Sequence, residues 1–309
     1  MTHPIRLGLV GLGKIARDQH LPAIAATEEI ELVAVASRNA TAQGVVNYAD
    51  LGAMLAGEPG LDGIVLCQPP QARFDAARMA LAAGKHVFLE KPPGATVSEA
   101  QALAALAAHR GTTLFAGWHS RHASAVATAK AWIAARRIQQ VVITWKEDVR
   151  HWHPGQDWIW EAGGFGVFDP GINALSILTE VIGEPVRLID AELETPANRH
   201  APIAARLAMA TAGGVPVAAE FDWRQTGPQT WDIRIEADGE ALCLSHGGNA
   251  LTIDGVVQDT GPEAEYPGLY RRFVELVDEG KSDVDLAPLQ LVADAFLRGT
   301  NRIVAPFDA

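Results

Sequence analysis

The stretch GLVGLGKIA, Gly8 to Ala16, decides the fold. It joins the apolar run Ile5 to Val10 to a helical pattern with almost no loop between them. In a G-x-G-x-x-A turn of this kind Gly11 permits the tight bend and Gly13 lets backbone N–H groups approach a pyrophosphate. The small Ala16 lets the helix pack closely on its strand. The helix N-terminus then offers unpaired donors and a favourable dipole to two phosphates. Gly11, Gly13, Lys14, Ile15 and Ala16 are therefore candidate contacts of a dinucleotide. A glycine turn without a ligand would use the same residues, and the context favours the cradle.

That context lies at the end of a second apolar run, Ile30 to Ala36. A site that prefers NAD places an acid there for the ribose 2′-hydroxyl, whereas this chain has Ser37-Arg38. A carboxylate would repel a 2′-phosphate; a hydroxyl can donate to it, and a guanidinium can bind it or stack on the adenosine. The expectation is that both NADP and NAD bind, with NADP preferred.

With 309 residues the chain can build two domains with proper cores, and 48% hydrophobic content fits a globular protein. No apolar run is long enough to cross a bilayer, and the first strand follows Met1 so closely that no signal peptide is expected. The two cysteines, Cys67 and Cys243, each fall in an apolar strand pattern and read as small buried hydrophobes of a reducing cytoplasm. The net charge of −12 is spread without a basic stripe, which argues against nucleic acid or an anionic membrane as partner and for a small neutral substrate.

The first third alternates strand and helix, with strands expected at Ile5 to Val10, Ile30 to Ala36, Gly63 to Gln68, His86 to Leu89 and Thr113 to Gly117. Thr96-x-x-Glu99 is a capping box at the start of one of the helices. After a helix at about His122 to Arg137 the pattern changes to period two. Val215, Val217, Ala219, Phe221 and Trp223 share one face, as do Trp231, Ile233 and Ile235. The expected architecture is α/β: a Rossmann domain over residues 1–120, then an α/β domain over 121–309 with a mostly antiparallel, open-faced sheet. The final helix is expected to pack back on the first domain. The charged outer face of the second sheet is compatible with a monomer or a dimer.

Glu90-Lys91-Pro92-Pro93 follows the fourth expected strand, at the carboxyl end where open α/β sheets bind ligands. Lys91 is thus expected in the cofactor crevice, with Glu90 anchoring the loop or meeting a ribose. In Gly163 to Gly183, Asp169-Pro170 reads as a helix N-cap with proline at the first position, and Gly183 closes the helix. Asp169 and Asn173 then share a face at its start. Capping alone would account for Asp169; a polar amide one turn into an apolar helix needs a partner. Trp145, Trp152, Trp158 and Trp160 crowd one segment, and Trp118 precedes His119. An indole can pack on a sugar's C–H face, although core packing competes for any single tryptophan. His119 and His153 are placed to meet hydroxyls. No His or Cys spacing supports a metal site.

Together GLVGLGKIA, the Glu-Lys-Pro loop and the Asp-x-Gly-x-Asn helix resemble the glucose-fructose oxidoreductase and inositol dehydrogenase (Gfo/Idh/MocA) family over essentially the whole chain. Trp152 to Leu178 further resembles the branch of bacterial aldose 1-dehydrogenases that act on L-arabinose and D-galactose. The resemblance implies oxidation of the anomeric hydroxyl to an aldonolactone with NAD(P). Lys91, Asp169 and Asn173 would be catalytic, and His119, Trp152, His153 and Trp231 would hold the sugar alongside them. Either Lys91 takes the proton and Asp169 relays it, or Asp169 takes it while Lys91 stabilises the oxyanion. Gln68 and Pro69 fall where the family has a threonine-proline loop, and Asn173 stands where many members have a histidine. A non-catalytic regulator of the same fold, or a dehydrogenase acting on another polyol carbon, would share the glycine turn; the retained Lys91 and Asp169 favour the enzyme.

Overall fold

The computed structural model describes residues 3–308. The chain divides into two compact units, one of residues 1–119 and 266–285, the other of residues 120–265 and 286–309.

The first unit is built on a parallel six-stranded sheet. Its strands are β1 (Ile5–Val10), β2 (Ile30–Ala36), β3 (Val46–Tyr48), β4 (Gly63–Leu66), β5 (His86–Glu90) and β6 (Leu114–Gly117). They lie in the order β3-β2-β1-β4-β5-β6. The chain direction across the sheet therefore reverses between β1 and β4, where doubly wound sheets open a crevice at the strands' carboxyl ends. Period-two alternation assigns the buried strand residues to two cores. Ala34, Ile64, Leu66, Val87 and Leu89 face the helices Leu51–Gly57, Arg73–Ala82 and Val97–Arg110. The last of these carries the expected capping box, in which the Thr96 hydroxyl accepts from the Glu99 N–H.

The opposite face, with Leu7, Leu9, Val35, Val65, Phe88 and Phe115, is covered near β1 by the short helix Leu21–Ala25. A helix of five residues cannot shield β5 and β6. The segment that does so is the helix Glu265–Glu279, whose Leu269, Phe273 and Leu276 are fully buried in this core. The final helix, Ala287–Arg298, belongs to the second unit, and it buries Leu289, Val292 and Ala295, leaving Ala293 and Phe296 exposed.

The second unit carries a nine-stranded sheet of β7 (Ile138–Lys146), β8 (Val186–Pro196), β9 (Ala204–Thr211), β10 (Pro216–Asp222), β11 (Thr230–Ala237), β12 (Glu240–Ser245), β13 (Ala250–Ile253), β14 (Val256–Gln258) and β15 (Thr300–Val304). The order is β14-β13-β12-β11-β7-β10-β9-β8-β15, with β10·β7 and β15·β8 parallel and the other pairs antiparallel. One face is apolar: Val141, Ile143, Val217, Phe221, Ile233 and Ile235 are buried there. The other bears ion pairs such as Lys146 with Glu220 at 2.8 Å and Arg224 with Glu194 at 2.8 Å. Both cysteines are half-buried rather than buried.

Candidate active site

The candidate dinucleotide residues of the first unit gather at the carboxyl edge of its sheet. Gly11 has φ +92°, a conformation that favours glycine, and a Cβ there would stand 3.0 Å from the Gln68 backbone nitrogen. A Cβ on Gly13 would meet nothing within 4 Å, so the turn opens on free space where a pyrophosphate would lie. These two observations fit a bound dinucleotide. Ala16 is fully buried against the core, while Lys14 is exposed and paired with Asp18 one turn on. Ile15, apolar and a candidate contact, is exposed beside them. Ser37 is half-buried, its backbone N–H donating to the Tyr48 carbonyl at 3.0 Å, and Arg38 is exposed directly after β2.

The loop after β4 and the loop after β5 are tied together by a residue whose role the sequence did not reveal. Arg73 is buried, and its guanidinium donates to the carbonyls of Gln68, Glu90 and Pro92. One planar guanidinium therefore ties the two loops together. Gln68 is half-buried with its side-chain oxygen unmatched, and Pro69 is exposed.

Glu90 is buried at the end of β5. Its buried carboxylate accepts from the Tyr266 hydroxyl at 2.6 Å and lies 3.5 Å from His20 Nε2, while His20 Nδ1 is hydrogen-bonded to the Tyr270 hydroxyl at 2.7 Å. Burial pushes the Glu90 carboxyl up, but the hydrogen bond and charge of His20, with His119 and Lys91, outweigh it and bring it down to about 2. Burial likewise pushes His20 down, and the Cys67 sulfur and Glu90 together raise it to about 9. Both shifts favour the charged forms, as an ion pair would, and half-buried Lys91 follows Glu90 in the chain. His119 stacks on Tyr266 with ring centroids 5.3 Å apart.

A separate cluster of candidate residues lies within the second unit. Asp169 is not the N-cap: the helix starts two residues earlier than that reading puts it, as Phe168–Ile182, with Val167 at the cap and no side-chain cap bond. Gly166 at φ +53° and the Val167 N–H to Pro202 carbonyl bond of 2.8 Å set this earlier start. Asp169 is consequently a buried carboxylate inside the first turn, with half-buried Asn173 one turn on. Gly183 closes the helix in the left-handed conformation, as expected.

Around Asp169 the structure gathers a carboxylate, a histidine and an aromatic wall. Beyond β7, Asp148 accepts from the Arg150 N–H and starts the short helix Val149–Trp152, which turns the chain so that His153 comes back beneath Glu147. His153 Nε2 lies 3.2 Å from Glu147 Oε1, and Nδ1 lies 3.7 Å from Asp169 Oδ2. Glu147 also accepts from the indole N–H of Trp223 at 3.2 Å and of Trp231 at 2.8 Å. Trp231 stacks on Trp145 at 5.8 Å, and Trp152, 37% exposed, leans on Trp231 at 5.0 Å. Trp160 packs on Trp223, and Trp118 is buried; both are core. Among the described residues no group of three or more His, Cys, Asp or Glu could hold a metal ion, and no helix is long and apolar enough to cross a membrane.

The profile of an oxidoreductase family with an NAD-binding Rossmann fold, Gfo/Idh/MocA, matches residues 5–118. A galactose 1-dehydrogenase of Pseudomonas fluorescens is 47% identical over 98% of this chain and 99% of its own. The chain belongs to the Gfo/Idh/MocA family. A crystal structure of D-galactose-1-dehydrogenase from Rhizobium etli is 57% identical and superposes with a TM-score of 0.96, covering 100% of this chain and 99% of that one. A 3-ketoreductase from Actinomadura kijaniata, solved with NADP and a TDP derivative, is 20% identical with a TM-score of 0.84 over 99% of this chain and 100% of that one, and shares the fold. This Gfo/Idh/MocA oxidoreductase therefore combines an NAD(P)-binding Rossmann unit with a second unit on a mixed sheet.

Proposed function

We propose that this oxidoreductase oxidises the anomeric C1 hydroxyl of an aldopyranose, D-galactose and L-arabinose, to the aldonolactone, with NADP preferred over NAD. The observation that carries the reading is the full-length likeness to two galactose dehydrogenases. The aromatic wall of Trp145, Trp231 and Trp152, adjoining the Glu147, His153 and Asp169 cluster, supports it. Indole faces suit the C–H face of a neutral sugar, and the polar groups suit its hydroxyls. The two sugars share ring stereochemistry and differ at C5, so a pocket with room for a hydroxymethyl group accepts both.

A bound nicotinamide supplies the acceptor for the hydride that leaves C1. The protein's task is to orient the sugar and remove the proton of the C1 hydroxyl. Lys91 is assigned as base and Asp169 as the group that relays the proton, while Asn173 orients a hydroxyl through its amide. Trp152, Trp231, His119 and His153 hold the ring. Exposed Arg38, with Ser37, is assigned to the 2′-phosphate.

The test is reduction of NADP, and separately NAD, by the purified protein with D-galactose, L-arabinose, D-xylose, D-glucose and myo-inositol. Rapid reduction with the first two sugars is expected. Reduction with inositol alone would move the reacting carbon, and no turnover with any sugar would refute the reading.

A further inference from the structure

Glu90 continues the parity of Phe88 along β5, so its side chain enters the aromatic core that the helix Glu265–Glu279 covers. An apolar residue there would carry no desolvation penalty, whereas a buried carboxylate is expensive and has to be met by donors. Tyr266 supplies one. Its hydroxyl donates to Glu90 Oε1 at 2.6 Å, short as a bond to a charged acceptor is. Its ring stacks on His119, with centroids 5.3 Å apart and planes 16° from parallel, and meets His20 edge-on at 5.0 Å. One buried side chain thus touches both the residue before Lys91 and the imidazole just beyond β6. The charges of His119 and Lys91 are among those that draw the Glu90 carboxyl down, so the carboxylate lies within electrostatic reach of both. Arg73 fixes the backbone on either side of Lys91, at the Glu90 and Pro92 carbonyls. The Glu90 carboxylate is fixed separately, by Tyr266. Tyr266, Glu90, Lys91 and His119 all belong to the first unit.

We propose that Tyr266 is a positioning residue for the aldose reaction: its hydroxyl holds the Glu90 carboxylate next to Lys91, and its ring holds the imidazole of His119. This deepens the aldose reading and rests on it for the roles of Lys91 and His119. A fixed negative charge adjoining Lys91 sets the field in which that lysine takes or steers a proton. The stacked ring sets the angle at which His119 is offered to a sugar hydroxyl. The two functions of one side chain are therefore separable, the hydroxyl acting on turnover and the ring on sugar binding.

The experiment is steady-state kinetics of the full chain and its variants with D-galactose and saturating NADP, with urea midpoints to register stability. Tyr266→Phe keeps the ring on His119 and removes the donor to Glu90; kcat is expected to fall about ten- to hundredfold while KM for the sugar stays within about twofold. Tyr266→Leu also loses the stack, and KM is expected to rise by about three- to tenfold. Tyr270→Phe removes a buried hydroxyl of the same helix that meets His20 and not Glu90, and is expected to lower the urea midpoint while kcat and KM stay native. A native kcat in Tyr266→Phe, or an equal fall in Tyr270→Phe, overturns the proposal, because a merely structural loss would act alike in both. An unchanged KM in Tyr266→Leu overturns the part assigned to the ring. Glu90→Gln decides should Tyr266→Phe not fold: it removes the charge next to Lys91 and keeps an acceptor for the hydroxyl, so kcat is expected to fall about tenfold at constant KM. A native kcat there overturns the proposal as well. No turnover by the native protein would take this proposal down with the aldose reading, whereas an active native enzyme indifferent to these variants takes down this proposal alone.

Discussion

Replacing Glu90 by glutamine removes one buried charge and keeps an acceptor in place, because the amide oxygen can take the position of Oε1, the atom that meets both the Tyr266 hydroxyl and His20 Nε2. His20 is raised from its ordinary 6.5 to about 9 in the folded protein. It therefore contributes stability that is complete below pH 6.5 and lost as pH rises through about 9. Glu90 is lowered from 4.5 to about 2, so its contribution is complete above pH 4.5 and lost as pH falls through about 2. Both shifts report largely the same contact, counted once, and at about 1.36 kcal/mol per pH unit it is worth about 3 kcal/mol. Cys67 supplies part of the rise at His20, so Glu90→Gln is expected to cost about 2 kcal/mol at pH 6 and less than about 1 kcal/mol at pH 10. Burial holds the Tyr270 hydroxyl well above the ordinary phenol range, so it does not ionise within this window. Urea unfolding of the native protein and variant at the two pH values, extrapolated to water, measures both differences. An equal loss at pH 6 and pH 10 would refute the ion-pair assignment.

Three further outcomes are expected. Arg73→Met leaves the carbonyls of Gln68, Glu90 and Pro92 without their donor; a loss of about 2–4 kcal/mol and a severalfold weaker nucleotide titration should follow, and retention of both would show that the fork is dispensable. Arg38→Ala should reduce the NADP-to-NAD ratio of kcat/KM by about tenfold, the worth of one charge-assisted contact; an unchanged ratio would remove Arg38 from the 2′-phosphate. Lys91→Met should lower kcat by about 10²–10⁴-fold while nucleotide still binds; near-normal turnover would rule out Lys91 as base and as oxyanion stabiliser alike.

Sequence was most legible where the physics is local. The tight bend at Gly11, the capping box and the alternation along β10 and β11 each depend on neighbours within a few residues, and the structure has each of them. Asp-Pro is a strong local signal for a cap at Asp169, whereas the Val167 N–H bond to the Pro202 carbonyl accompanies a helix start two residues earlier. Arg73, His20, Tyr266 and Glu147 went unassigned because their partners are remote: Glu147 meets Trp223 and Trp231 at separations of 76 and 84 residues. One signal was nonetheless available. Val141, Ile143 and Trp145 alternate onto the buried face of β7, and Glu147 continues their parity, an acid where the pattern calls for an apolar side chain. Tyr266 and Tyr270, spaced i and i+4, likewise marked a helix face carrying two buried hydroxyls.

The helix that shields Phe88 and Phe115 comes from residues 266–285, far beyond the point at which the chain leaves the first unit at residue 119. The second unit is, in effect, an insertion within the first. During synthesis the nascent Rossmann sheet must wait for some 166 further residues, the difference between 119 and 285, before that face can close. At about 5–20 residues per second the interval is roughly 8–33 s. For that time an aromatic surface faces water or a chaperone. The same geometry bears on protein engineering, since a fragment cut at residue 120 would lack part of its own core, whereas one that rejoins residues 1–119 to 266–285 through a short linker would restore it.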